Sequence, residues 1–278
     1  MDQEFILSDD FDVQLKVGEQ VINYIGTIDT YVVLCTESNF EQVLTNFGID
    51  TKFSLLAMQD MRTQQYLWYY GEDYRLLFLY TEKKTIKDIR NLGVLAVNQL
   101  RKLKIVEVAF TIPKNFNTNE VKSFLQSVVL WNYKFEMKTV NKTILLKSII
   151  FNIENILESI EELNFIITAA KSTLLVRDLV NTRANIATPQ YLEDFITNMI
   201  DGENKISNFE VIKGKQLDDR GLKVFYSVGK GAAVEPRLIQ CLYKGDSHSE
   251  YVKYAFVGKG ITFDAGGLNI KAHPEDMY

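Results

Sequence analysis

Apolar residues in the first half of the chain follow two rhythms. RLLFLY (Arg75 to Tyr80) is a short unbroken apolar run, the pattern of a buried strand. Behind it, Ile86, Ile89, Gly93, Ala96, Leu100 and Leu103 recur at steps of three and four. That spacing puts them on one face of a helix of about five turns. KIVEVAFTIP (Lys104 to Pro113) then reads as a second strand that ends at proline. Strand, helix, strand is a βαβ unit, and such units predict a mostly parallel sheet covered by helices.

The same reading continues along the chain. It predicts a helix near Asn119 to Trp131 and a strand in TILLKSIIF (Thr143 to Phe151). A long helix is expected next, because Ile153, Ile156, Ile160, Leu163, Ile167, Ala170 and Leu174 keep the three-four rhythm. A helix of that kind can join two domains, so the boundary is placed at its start. Residues 1–150 form an N-terminal α/β domain, and residues 151–278 hold the linker helix and the beginning of a second domain. There the pattern restarts. TPQYLEDFITNMI (Thr188 to Ile200) has the Thr-Pro start of a helix. FEVIK (Phe209 to Lys213), RLIQCLYK (Arg237 to Lys244) and YAFVGK (Tyr254 to Lys259) read as strands of a further α/β layer.

Composition narrows the class. The chain has 278 residues, 46% of them hydrophobic, and only four prolines, enough for a proper core without long disordered linkers. A net charge of −5 and no basic stripe argue against nucleic acid or an anionic membrane as partner. The two cysteines, Cys35 and Cys241, form no spacing motif and fit a reducing compartment. With neither a signal-peptide pattern at the N-terminus nor a long apolar run, the chain reads as soluble and cytoplasmic.

The chemistry concentrates in VGKGITFDAGGLNIK (Val257 to Lys271), placed where the last strand is expected to end. In open α/β sheets, ligands bind at the carboxyl ends of strands. Three common sites are excluded. Lys259 is followed by Gly260 rather than Ser or Thr, the third residue after Gly260 is Phe263, and His248 and His273 are too far apart for a zinc helix. What remains is a carboxylate with amines. Aspartate holds divalent cations well. A lysine ligates only when neutral, at a cost of roughly 4–5 kcal/mol from an ordinary pKa of about 10.4. A structural zinc, worth on the order of 10–16 kcal/mol, can repay that. A lysine that stays charged can instead stabilise an oxyanion. Spacing alone leaves open a plainer alternative, surface lysines around a glycine turn.

VGKGITFDAGGLNIKA (Val257 to Ala272) resembles the metal-binding segment of the leucyl aminopeptidase (cytosol aminopeptidase) family. RDLVNTRANIATPQYL (Arg177 to Leu192) and VGKGAAVEPRLIQCLYKG (Val228 to Gly245) resemble two more of its segments, in order, and VLWNYKFEMKT (Val129 to Thr139) does so more weakly. Arg183 stands where the family has proline. The resemblance implies a macro-domain-like N-terminal α/β domain plus the first part of an α/β zinc-peptidase-type domain. It implies removal of N-terminal amino acids, leucine favoured, from peptide substrates with two divalent ions, zinc or manganese. A homo-hexamer is implied, as is a bicarbonate in the complete enzyme.

Carried over by position, Lys259 and Asp264 match metal ligands, with Asp264 bridging both ions. Lys271 matches the catalytic lysine that polarises the scissile carbonyl, and Lys271 and Asp264 together face the substrate. The family's other ligands correspond to positions past Tyr278. Residues 1–278 alone are therefore expected to be inactive and to leave a sheet edge uncovered. One alternative is a catalytically inactive, truncated relative that acts as a structural or regulatory partner of full-length subunits. Another is a nucleotide-binding module, disfavoured because residues 1–120 hold no glycine-rich phosphate loop.

Overall fold

The computed structural model describes residues 11–17, 28–82, 85–136, 142–154, 160–203, 205–245 and 254–273. Its contacts divide the chain into two units, the first running to Asp178 and the second from Leu179. The sequence reading put this boundary near residue 150. The division instead falls inside the linker helix, most of which packs with the first unit.

The first unit is built on a sheet of six strands among the described residues: β1 (Asp12–Val17), β2 (Thr30–Cys35), β3 (Tyr66–Tyr70), β4 (Arg75–Tyr80), β5 (Glu107–Ile112) and β6 (Ser148–Ile153). Their order is β1-β6-β5-β2-β4-β3, parallel throughout except for β3, which runs antiparallel to β4. Helices α1 (Phe40–Asn46), α2 (Ser54–Gln64), α3 (Ile86–Lys102), α4 (Thr118–Trp131) and α5 (Ile160–Asn181) make the connections. Covering both faces leaves β2 wholly buried and β4 buried except at Arg75, so these strands are apolar runs rather than alternations.

On the first face Val32, Leu77, Phe110 and Phe151 meet apolar positions of α3, α4 and α5. On the second, Tyr31, Val33, Phe78 and Tyr80 meet α1 and α2. Local signals start the helices. Thr85 caps α3 through its side chain, and Asn117 with Glu120 forms a reciprocal capping box on α4.

The βαβ unit expected from Arg75 to Pro113 is present as β4, α3 and β5. Two expectations shift. TILLKSIIF pairs only from Ser148 on, and the strand extends to Ile153. Ile149, Phe151 and Ile153 point alternately into the first core, so Ile153 is a strand residue and not the start of the helix. Ile156 lies outside the described residues. From Leu163 to Leu174 the three-four rhythm does mark the buried side of α5.

The second unit contains α6 (Pro189–Ile200), β7 (Ile206–Lys213), the short helices α7 (Lys215–Asp219) and α8 (Lys223–Gly229), and β8 (Arg237–Tyr243). Thr188 caps α6 and proline fills its first position, as expected. Strands β7 and β8 form an antiparallel ribbon. YAFVGK does not form the expected strand. A strand exists only where a neighbour takes up its backbone groups, and residues 254–260 join no ladder among the described residues, with Phe256 and Val257 96% exposed. No helix among the described residues is long and apolar enough to cross a membrane.

The seam between α3 and α4 gives a test of the packing. A β-carbon on Gly93 would lie 1.9 Å from Ser127 Oγ, which itself donates to the Phe124 carbonyl at 2.8 Å. Alanine is the better helix former by up to about 1 kcal/mol, but overpacking a tight seam costs about 1–3 kcal/mol. Gly93→Ala should therefore lower the urea midpoint, and the added change Ser127→Gly should recover part of it. A midpoint raised by Gly93→Ala alone would mean the seam is loose.

Candidate functional site

The glycines of VGKGITFDAGGLNIK set its geometry. Gly260, Gly266 and Gly267 all adopt positive φ, at 59°, 92° and 63°. A side chain at Gly266 would also collide with the Asn269 carbonyl, 2.2 Å from an added β-carbon. Only glycine meets both demands. The turn folds the chain back so that the Lys271 N–H donates to the Ala265 carbonyl at 3.0 Å.

That closure brings two of the expected site residues together. Lys271 Nζ lies 3.4 Å from Asp264 Oδ2, and the Gly266 N–H donates to Asp264 Oδ1 at 2.8 Å. These two interactions, the backbone hydrogen bond first, hold the Asp264 carboxyl below the usual aspartate value of 3.8. The charge of Lys259 acts on the same carboxylate more weakly. All three predicted residues thus share one electrostatic neighbourhood on an exposed segment. Their donor set for a metal is partial. Asp264 and Lys259 offer two donors, a zinc takes four, and no group of three or more His, Cys, Asp or Glu suited to a metal occurs among the described residues.

The other motif segments do structural work. Arg177, on α5, donates to the Leu130 carbonyl at 2.8 Å and lies over the Tyr133 ring at 5.6 Å, tying α5 to the end of α4. The Arg183 carbonyl accepts from the N–H groups of Ile186 and Ala187, a backbone role that does not need proline. In the second unit, Gly229 ends α8 against Pro236, where an added β-carbon would sit 2.6 Å from the proline ring.

Beside it is a residue that sequence reasoning passed over. Arg237, with a side chain only 7% exposed, pairs with Glu193 of α6 and donates to Gln190. Lys213 reaches the other oxygen of Glu193 at 3.5 Å. A buried arginine left alone is costly, so its partners anchor α6 on the ribbon. The signal was available: an arginine opening the apolar strand RLIQCLY must find an anion.

Because its pKa is lowered in the fold, ionised Asp264 favours the folded turn at pH above the ordinary aspartate value. That contribution is lost as pH falls through the folded midpoint. An NMR titration of the Asp264 carboxyl should give a midpoint below 3.8. Lys271→Met should raise it partway, since the Gly266 N–H remains, and Gly266→Ala should raise it further. A midpoint unmoved by both changes would mean that the turn does not hold the carboxylate.

Comparison with known proteins bears on this segment directly. Residues 174–278 match the cytosol aminopeptidase family, catalytic domain. A probable cytosol aminopeptidase of Clostridium tetani is 33% identical over 200 residues, which is 68% of this chain and 40% of that protein. One from Clostridium perfringens is 28% identical over 270 residues, covering 86% of this chain and 54% of the relative. The chain thus spans about half, or less, of the relatives it matches. A solved structure of a tomato leucine aminopeptidase mutant superposes with a TM-score of 0.72 at 18% identity, over 93% of this chain and 56% of that one, and so shares its α/β fold. Residues 174–278 thus resemble the catalytic domain of the cytosol aminopeptidase family, and the chain shares the α/β fold of the tomato structure.

Proposed function

We propose that this chain carries part of the active site of a metal-dependent aminopeptidase that removes N-terminal residues, leucine among them, from peptides. The observation that carries the reading is the glycine-closed turn. It sets Lys271 Nζ 3.4 Å from Asp264 inside the segment matched to the family's catalytic domain. Lys259 and Asp264 are the metal ligands this chain supplies, and two divalent ions, zinc or manganese, would lend Lewis acidity to a water and to the scissile carbonyl.

The rest falls to side chains of this chain. Asp264, ionised throughout the neutral range, needs no deprotonation step before it ligates. Its Oδ1 is oriented by the Gly266 N–H, which leaves Oδ2 to the cations around it. Lys271, held beside Asp264, is the cation placed to stabilise a carbonyl oxygen as negative charge develops there. That charge exists only in the transition state, so Lys271 acts on kcat more than on KM.

The test continues the chain past Tyr278 with the corresponding segment of the Clostridium tetani relative and assays leucine amide with manganese or zinc. Activity is expected, and Lys271→Met in the same protein should lower kcat by about 10²–10³ with KM little changed. Full activity in that variant would remove Lys271 from the mechanism.

A further inference from the structure

The sheet of the first unit has a topological switch between β2 and β5. Neighbouring parallel strands β2 and β5 send their connections to opposite faces. The chain leaves β2 for α1, whose Phe40, Val43 and Leu44 lie in the second core, and leaves β5 for α4, whose Phe124 and Val128 lie in the first. Strands that diverge in this way leave a crevice at their carboxyl ends, the usual place for a ligand in an open α/β sheet. Its rim is a bridge of neutral side chains. Asn115 Nδ2 donates to Thr36 Oγ1 at 3.1 Å, and Asn39 Nδ2 donates to Asn115 Oδ1 at 3.3 Å.

Strands β5 and β6 also carry polar atoms that the fold does not satisfy. Thr111 of β5 and Asn152 of β6 are register partners, each 2% exposed. They follow Ala109 and Ile150 by two, and so face the second side of the sheet with them. Thr111 Oγ1 and both the Oδ1 and Nδ2 of Asn152 have no hydrogen-bond partner. A buried carboxamide with both ends unpaired is costly to keep, and such groups call for an explanation. Isosteric apolar residues, leucine and valine, would remove the cost.

We infer that Asn152 and Thr111 form the floor of a small-molecule site at the β2/β5 crevice, for an uncharged ligand that presents an adjacent hydrogen-bond donor and acceptor. A carboxamide with a free N–H and a free oxygen pairs in two-pronged fashion with such an edge, whether on an amide or on an aminopurine. Asn152, Thr111 and the Asn39–Asn115–Thr36 bridge are all neutral, so these residues offer hydrogen bonds rather than charge. The site is independent of the Asp264 segment, which belongs to the other unit.

The experiment follows thermal unfolding of the full chain with millimolar N-acetyl-leucinamide in one arm and adenosine in the other. The blocked amine keeps the first probe from being an aminopeptidase substrate. One arm should raise the midpoint by about 3 °C or more and so identify the source of the donor–acceptor edge. Asn152→Leu should melt no lower than the unaltered chain and lose that shift. Failure of both probes to move the unaltered chain would overturn the inference, as would a shift that survives in Asn152→Leu. A variant that melts well below the unaltered chain would also overturn it, because the carboxamide would then be satisfied inside the fold, by a buried water. If Asn152→Leu does not fold, Thr111→Val gives the same readings.

Discussion

Strand β2 is hydrogen-bonded on both sides to parallel neighbours, β4 and β5, and no tight turn can reach either of them. The chain leaving β2, β4 or β5 must therefore cross a face, and the helices that make the crossings cover β2 completely and β4 except at Arg75. The apolar runs TYVVLC and RLLFLY follow from that covering. So does the divergence of the loops after β2 and β5, because one crossing leaves for each face. A core requirement and the topological switch between β2 and β5 thus come from the same constraint.

The constraint also decides what could be read in advance. Elements that carry one clean rhythm were legible: β4, α3, β5, α4 and α6 lie within a few residues of where periodicity put them. Ile153 was misassigned because apolar residues two apart on β6 run without a break into the helical spacing of α5, and both patterns fit at the junction. The strand expected at YAFVGK failed for another reason. Pattern says that a segment suits a strand, while pairing depends on a neighbour that local sequence cannot name. Elements before Arg75, from β1 to β3, drew no specific expectation, since short helices such as α1 offer too few turns for a period to stand out.

Legibility at the site was of a different kind. Lys259, Asp264 and Lys271 were picked out as residue types, and glycine spacing hinted at a turn. The positive φ angles and the 3.4 Å approach of Lys271 to Asp264 are tertiary facts of that turn. Arg237 was missed because motif matching attends to donors near the expected chemistry. Its partners, Glu193 and Gln190, sit more than forty residues earlier on another element.

Asp264 and Arg237 are both charged and both paired, yet burial gives the pairs opposite uses. Arg237 is nearly sealed, so exchanging its carboxylate for water would strand a charge, and the pair works as a fixed joint. Asp264 is half exposed at the side chain, and water or another cation can replace Lys271 at little cost. What stays fixed there is the backbone: the Gly266 N–H keeps its hold on Oδ1 whichever cation occupies Oδ2. A carboxylate oriented by the main chain, with one oxygen open to exchange, can pass from an ammonium to a metal ion without rearranging the turn. That is why the glycines, rather than the ion pair, are the structural requirement of this segment.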